Sequence, residues 1–332
     1  MADADRWLVD GVEGQRNLSR REFVRRLSAA VAGGGLVTAA FAGCTLTRSQ
    51  RAEAAEAMVA AAGKLPKRRF GTRMGNMRVT PVAICQDWPP ELYAPALALG
   101  INYVHKAGYW SELPEEFKKL PRESYITDIT VDSTPNNPDD EEGAYRQVTE
   151  SLKRNGLGYY DIFKAHFGWK SVADMREKRG TYRAFQRLKK EGKVKYFGVS
   201  QHNWVPYPEI IAAQIDEGLI DTMQVFYSYA TDPATEEVFA KAHKAGIGMM
   251  AMKIWSGGNG KMRNDPQMQA QMKAPGMPGR ALIRHALWVK GPDGKPIFDI
   301  VVTNTRNMDQ FEENVAGVGE RISQVDGFML GT

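Results

Sequence analysis

Lys164 and His166 stand two residues apart in the run Tyr160-Asp161-Ile162-Phe163-Lys164-Ala165-His166, and the strand period of two turns both side chains to one face. A second run, Lys195 to Ser200, follows the turn Gly192-Lys193 and closes on a hydroxyl. An imidazole, an ammonium and a hydroxyl at neighbouring strand ends can move a proton, hold an anion or orient a carbonyl. Other strand-like runs supply Cys85, His105 and Asp128. An ammonium turned into an interior needs a partner, since burying it alone costs several kcal/mol. Asp128, on the adjacent strand, is therefore expected to pair with Lys164. Cys85, His105, Asp128 and His166 could also gather round zinc or another divalent ion, but they come from four separate strands with no short ligand spacing. No metal site is assigned.

The elements that must position these groups alternate along the chain. Eight apolar runs read as strands: Val82-Cys85, Ile101-His105, Tyr125-Val131, Tyr160-His166, Lys195-Ser200, Thr222-Phe226, Ile247-Lys253 and Ile297-Thr303. Amphipathic helical stretches separate them. One opens at Pro138-Asp139-Asp140, with acidic residues at its positive end, and Gly156 and Gly246 close others. Eight such units over about 260 residues predict an α/β fold, a (β/α)8 TIM barrel, whose chemistry lies at the C-terminal strand ends. Phe70-Gly71 and Arg78-Val79-Thr80 flank Gly75-Asn76, which reads as an N-terminal β-hairpin plugging the other end. Two long inserts, residues 134–142 and 255–278, follow the third and seventh strands, where a barrel places specificity. Trp110, Trp169, Trp204 and Trp255 would rim an apolar pocket.

The chain of 332 residues is 43% hydrophobic and 25% charged, within the ordinary globular range. Its net charge of +5 is dispersed, which argues against a nucleic-acid partner. Two cysteines, Cys44 and Cys85, exclude a disulfide framework and a four-thiolate cluster. Asn17-Leu18-Ser19-Arg20-Arg21-Glu22-Phe23 precedes a weakly hydrophobic run, Leu27 to Ala42, and resembles a twin-arginine export signal. Ala40-Phe41-Ala42 fits a cleavage site, while Phe41-Ala42-Gly43-Cys44 resembles a lipoprotein box that would tether the protein to a membrane through Cys44. The expected organisation is a signal over 1–44, a linker over 45–67 and the barrel over 68–332. The expected location is outside the cytoplasm, in the periplasm or anchored at the cell surface.

Taken in order, several pieces resemble the aldo-keto reductase family: the hairpin, Leu99-Gly100-Ile101-Asn102-Tyr103, Tyr160-Asp161 to His166, and Gly192-Lys193 to Ser200. Gln224, Gly246-Ile247-Gly248 to Ala251-Met252-Lys253, and Asn307 to Glu313-Asn314 continue the match. The resemblance implies hydride transfer between NADP(H) and a carbonyl or alcohol substrate, without a Rossmann domain. It places Ser200 and Gln224 on the nicotinamide carboxamide, with Gln201 where an Asn is usual, and Arg306, Glu313 and Asn314 on the adenosine end. Lys253 would meet a pyrophosphate or an acidic ligand. Some relatives with an Ala-Met-Lys strand end carry an iron–sulfur module; this chain lacks the cysteines for one.

The family's reacting groups are an Asp, a Tyr, a Lys and a His. Only His166 matches plainly. His105 stands at the Asp position and Asp128 at the Lys position, so the pair is expected to persist with its polarity reversed, His105 positive beside Asp128. The Tyr position holds Trp110, with Tyr109 one residue earlier. Two functions follow: a rewired oxidoreductase using Tyr109 or His105 as proton donor, with Lys164 substituting for the missing lysine, or a barrel without catalysis that binds a small ligand or a protein partner.

Overall fold

The computed structural model describes residues 64–85, 87–106, 108–131, 137–166, 168–201, 207–228, 231–254 and 278–318. The export-signal and linker residues up to 63, His202 and Asn203, Trp204, and the insert from Trp255 to 277 lie outside the described residues.

Two short antiparallel strands come first, β1 (Arg68–Arg69) and β2 (Arg78–Val79). Eight parallel strands follow: β3 (Val82–Cys85), β4 (Tyr103–His105), β5 (Ile126–Val131), β6 (Tyr160–His166), β7 (Val194–Gln201), β8 (Thr222–Phe226), β9 (Gly248–Met252) and β10 (Ile300–Val302). They close in chain order, with β10 hydrogen-bonded to both β9 and β3. Each strand expected from the sequence is present at its expected place, and the barrel is the expected (β/α)8 barrel.

The β-strands are buried on both faces because helices cover the outside and side chains fill the centre. The crossover from β5 to β6 illustrates the packing. Helix α3 (Glu141–Asn155) follows the shorter α1 (Tyr93–Ala98) and α2 (Glu115–Lys118). It starts at Asp140, whose carboxylate accepts from Gly143 N–H at 2.8 Å, with Glu141 and Glu142 in the first turn. It ends at Gly156, as expected, with φ 64°. Ala144, Val148, Ser151, Leu152 and Asn155 recur at helical spacing and are the buried face. After α4 (Val172–Glu177), helix α5 (Gly180–Lys190) sets Phe185 against Phe163 and Phe197 of β6 and β7, with ring centroids 6.1 and 5.1 Å away. Helices α6 (Tyr207–Asp216), α7 (Pro233–Lys244), α8 (Pro278–Trp288) and α9 (Met308–Ala316) complete the described outer ring.

The hairpin closes the N-terminal end of the barrel. Thr72 and Arg73 N–H donate to Gly246 O, Arg73 Nη1 reaches Ile220 O, and Phe70 packs edge-on against Tyr103. Gly71 has φ 58°, and a Cβ there would lie 2.5 Å from Gly248 N, so no larger residue fits. With this end sealed, the opposite strand ends are left for chemistry.

Candidate active site

Strand alternation brings Tyr103, His105, Asp128, Lys164 and Gln224 together inside the barrel. The expected Asp128–Lys164 ion pair forms: Lys164 Nζ lies 2.8 Å from Asp128 Oδ2, and both side chains are closed to solvent. Lys164 fits because the residue beside it in register is Gly198. A Cβ on Gly198 would come within 2.6 Å of Thr222 and 3.2 Å of Lys164 Cγ.

Asp128 is the hub. It accepts from Tyr103 Oη at 2.5 Å, from Lys106 N–H at 2.8 Å and from Lys164, and His105 Nδ1 lies 3.1 Å from its Oδ2. Gln224 Oε1 accepts from Lys164 Nζ, and Gln224 Nε2 stands 3.3 Å from His105 Nε2. Lys164 Nζ also stands 3.1 Å from His105 Nδ1; in the tautomer that donates Nδ1–H to Asp128, His105 accepts at Nε2 from the Gln224 amide, which accepts in turn from Lys164. The ring of bonds runs Asp128, Lys164, Gln224, His105 and back to Asp128.

The charges follow from this geometry. Burial pushes the Asp128 carboxyl up, but Lys164 and then His105 overcome it and hold it well below the usual carboxylate range. Burial lowers Lys164, opposed by Asp128. Burial, and then the Lys164 ammonium, lower His105, whose imidazole is therefore neutral at pH 7. The expected pairing of His105 with Asp128 is present at 3.1 Å, and the same carboxylate takes Lys164, at 2.8 Å, as a second and cationic partner. Tyr103, raised by burial and by Asp128, is held as a neutral donor. Within this ring, Tyr103, Asp128 and Lys164 are sealed, whereas His105 retains 6% of its surface in contact with solvent.

The other predicted residues take distinct places. His166 ends β6, half-buried, in register with Ser200 on β7, and Ser200 is in register with Gln224 on β8. Gln201 is buried at the end of β7. Tyr109 is half-buried and meets Trp110 edge-on at 5.5 Å; among the described residues it makes no hydrogen bond to His105, Asp128 or Lys164. Trp110 is 56% exposed. Lys253 is exposed at the end of β9 with φ 55°, a left-handed backbone costing a non-glycine residue about 1 kcal/mol. Arg306 is largely exposed just before the N-cap of α9, 3.7 Å from Asp87 Oδ2. Glu313 Oε2 accepts from Gly279 N–H at 2.7 Å. Asn314 is buried and donates to the hydroxyls of Thr303 and Thr305. Among the described residues, no three His, Cys, Asp or Glu side chains gather as a metal site, and Cys85 Sγ bonds Thr303 O instead.

Two residues of this region escaped the sequence reading. Tyr103 was legible from alternation, since it shares a face with His105. Lys106 directly follows β4 and is fully buried beneath α3. Its Nζ donates to Gly108 O at 2.8 Å, Tyr109 O at 3.3 Å and Ser151 Oγ at 3.0 Å. It thereby holds the loop that carries Tyr109 and Trp110.

Comparison with solved structures places the fold. Aldo-keto reductase AKR11C1 from Bacillus halodurans, in its holo form, superposes with a TM-score of 0.57 at 18% identity, covering 80% of this chain and 95% of that one. A protein of Pseudomonas aeruginosa assigned to the aldo-keto reductases gives 0.55 at 18% identity, over 76% of this chain and 94% of that one. No curated protein matches the sequence. The profile of the aldo/keto reductase family matches residues 91–325, and with the closed barrel this establishes that the chain belongs to the aldo-keto reductase family.

Proposed function

We propose that this protein is an exported oxidoreductase that interconverts a carbonyl and an alcohol with NADP(H), using His105 in place of the family's tyrosine. The observation that carries the reading is the ring of bonds that includes His105, its most solvent-accessible member. With Nδ1–H held by Asp128, the Nε2 lone pair exchanges a proton once the Gln224 amide turns away from it. The bound cofactor would supply or accept the hydride at the carbonyl carbon. In the oxidising direction His105 takes the alcohol proton at Nε2; in the reducing direction the imidazolium returns it to the oxygen. Its lowered pKa favours the first direction, because the neutral base is the resting form. His166, two residues beyond Lys164 at the end of β6 and in register with Ser200, would orient the oxygen.

The residues present accommodate the cofactor unequally. Arg306, exposed beside the α9 N-terminus, suits an adenosine-side phosphate. Ser200 and Gln224 lie side by side for a carboxamide, and Lys253 sits on a strained turn near the same mouth. Glu313 and Asn314 are engaged within the protein and would shape that end rather than contact it. Gln224 must leave Lys164 or His105 to serve an amide. That engagement favours a second reading, a barrel without turnover that binds a small ligand or a protein partner. Location bears on the same choice, since a cofactor released outside the cytoplasm would be lost.

The deciding measurement is the absorbance, fluorescence and mass spectrum of protein purified after native export, followed by NADPH titration. Co-purified or tightly titrating NADP(H) supports the oxidoreductase and warrants a carbonyl and alcohol screen. A barrel that ignores NADPH supports the binding role. Replacing Arg20 and Arg21 by Lys, with fractionation of cells, tests the twin-arginine route and the location independently. Mass measurement of the mature N-terminus separates cleavage after Ala42 from lipidation of Cys44.

A further inference from the structure

The barrel end opposite His105 carries an unusual charge balance. Between Lys64 and Arg78 the chain has six cations, Lys64, Lys67, Arg68, Arg69, Arg73 and Arg78, and no carboxylate. Arg68 is buried, with Nη1 on Phe298 O at 2.9 Å, and it ties the hairpin to the barrel. The remaining five form no ion pair among the described residues. Arg69 and Arg78 donate to the hairpin's own carbonyls, at Gly75 O and Lys67 O, and Arg73 to Ala245 O and Ile220 O. Lys64, Lys67, Arg69 and Arg78 are exposed. Elsewhere the surface is neutralised locally: Arg183 meets Asp139 and Glu141, and Arg179 and Arg176 meet Glu217.

These cations also crowd one another. Lys67 is depressed by partial burial and then by the neighbouring Lys64 and Arg78 charges, the mark of a positive cluster without an internal counter-charge. Two of them, Lys67 and Arg78, line a groove of about 680 Å³ between the hairpin and the strand starts, together with Asn76, Asn102 and Lys195 and with Glu123 as its one acidic group. Lys195 is already paired with Asp161. The amides of Thr72 and Arg73 and the Arg68 and Arg73 side chains tie the hairpin to the barrel.

We infer that the hairpin end of the barrel docks on an anionic phospholipid surface. Two features select a bilayer over another polyanion. First, the cations are exposed and spread over a barrel end, with an open groove beside Lys67 and Arg78. Secondly, Cys44, the candidate lipidation site, precedes Lys64 by twenty residues. A chain anchored there enters the barrel through Lys64, so the hairpin end is the end next to the attachment. The active-site mouth then faces away from the lipid and stays open to soluble substrate. The orientation rests on the proposed membrane tether; the lipid affinity of the face does not.

Sedimentation of the full chain with vesicles tests it, using phosphatidylcholine alone and phosphatidylcholine with about one quarter phosphatidylglycerol. Binding is expected to the anionic vesicles only and to fall as salt rises. The triple variant K64Q/K67Q/R78Q is expected to lose about fivefold in partitioning per charge removed, or about a hundredfold in all. A control, R146Q/K170Q/R176Q, changes net charge equally on exposed positions elsewhere and is expected to bind as wild type. Equal binding to both vesicle types, or equal losses in the two variants, would overturn the proposal. Tighter binding of a single-stranded oligonucleotide than of the anionic vesicles would assign the face to nucleic acid instead. Since vesicle binding requires neither export nor turnover, its failure stands apart from failure of the proposed reaction or location.

Discussion

Lys164 Nζ lies 2.8 Å from Asp128 Oδ2 with both side chains fully buried. The pair also anchors Tyr103, Gln224 and His105, so its energy is spread over a network. Removing one partner leaves an uncompensated buried charge. Lys164→Met and Asp128→Asn are each expected to cost about 3–5 kcal/mol, whereas the double variant should lose distinctly less than their sum. Urea titrations of the four proteins measure this. Additive losses would mean that the two charges do not sense each other.

His105 and Tyr109 compete as proton carriers. Once a substrate is found, His105→Ala is expected to lower kcat at least a hundredfold. Tyr109→Phe should change it less than about threefold, since Tyr109 faces Trp110 and not the network. A large loss in Tyr109→Phe alone would return the role to the loop tyrosine.

Lys106 makes stability depend on pH. Burial, then Arg154, bring its pKa down to about 7, against about 10.4 in an unfolded chain. Between these values the unfolded chain binds the extra proton, so stability rises with pH from about 7 to about 10. The gain should reach about 2–3 kcal/mol at pH 9, superposed on other titrations, and Lys106→Met should remove that rise. Chemical denaturation of both proteins at pH 7 and pH 9 gives the comparison. Equal pH dependence in the two would show that Lys106 is charged in the native state.

Gly198 holds the space that Lys164 uses. Gly198→Ala places a methyl group 2.6 Å from Thr222 Cγ2 and should cost about 1–3 kcal/mol by overpacking. In a Lys164→Met background, where the side chain can yield, the cost should shrink. A thermal melt of each variant decides this, and an equal cost in both backgrounds would place the strain on Thr222 alone.

The strands and their order were legible because strand and helix periods are local properties of sequence. Tyr160 to His166 reads as a strand whatever surrounds it, and eight such units with helices between them close in one way. Alternation likewise put Lys164 and His166 on one face and, with the cost of burying an ammonium, led to Asp128 as the partner. The charge of His105 was not legible in this way. It depends on Lys164 reaching the same carboxylate from the other neighbouring strand, and that reach depends on the missing side chain at Gly198. Lys106, directly after His105, gave no signal, because nothing in its neighbourhood along the chain foretells Ser151 and the Gly108 carbonyl. The charge read as dispersed along the chain, and the gathering of the hairpin's cations on one sealed barrel end is a tertiary fact. Sequence determined the barrel and which groups line its mouth; only packing decided which of them carry charge, since a pKa in an interior is set by distances between residues far apart in the chain.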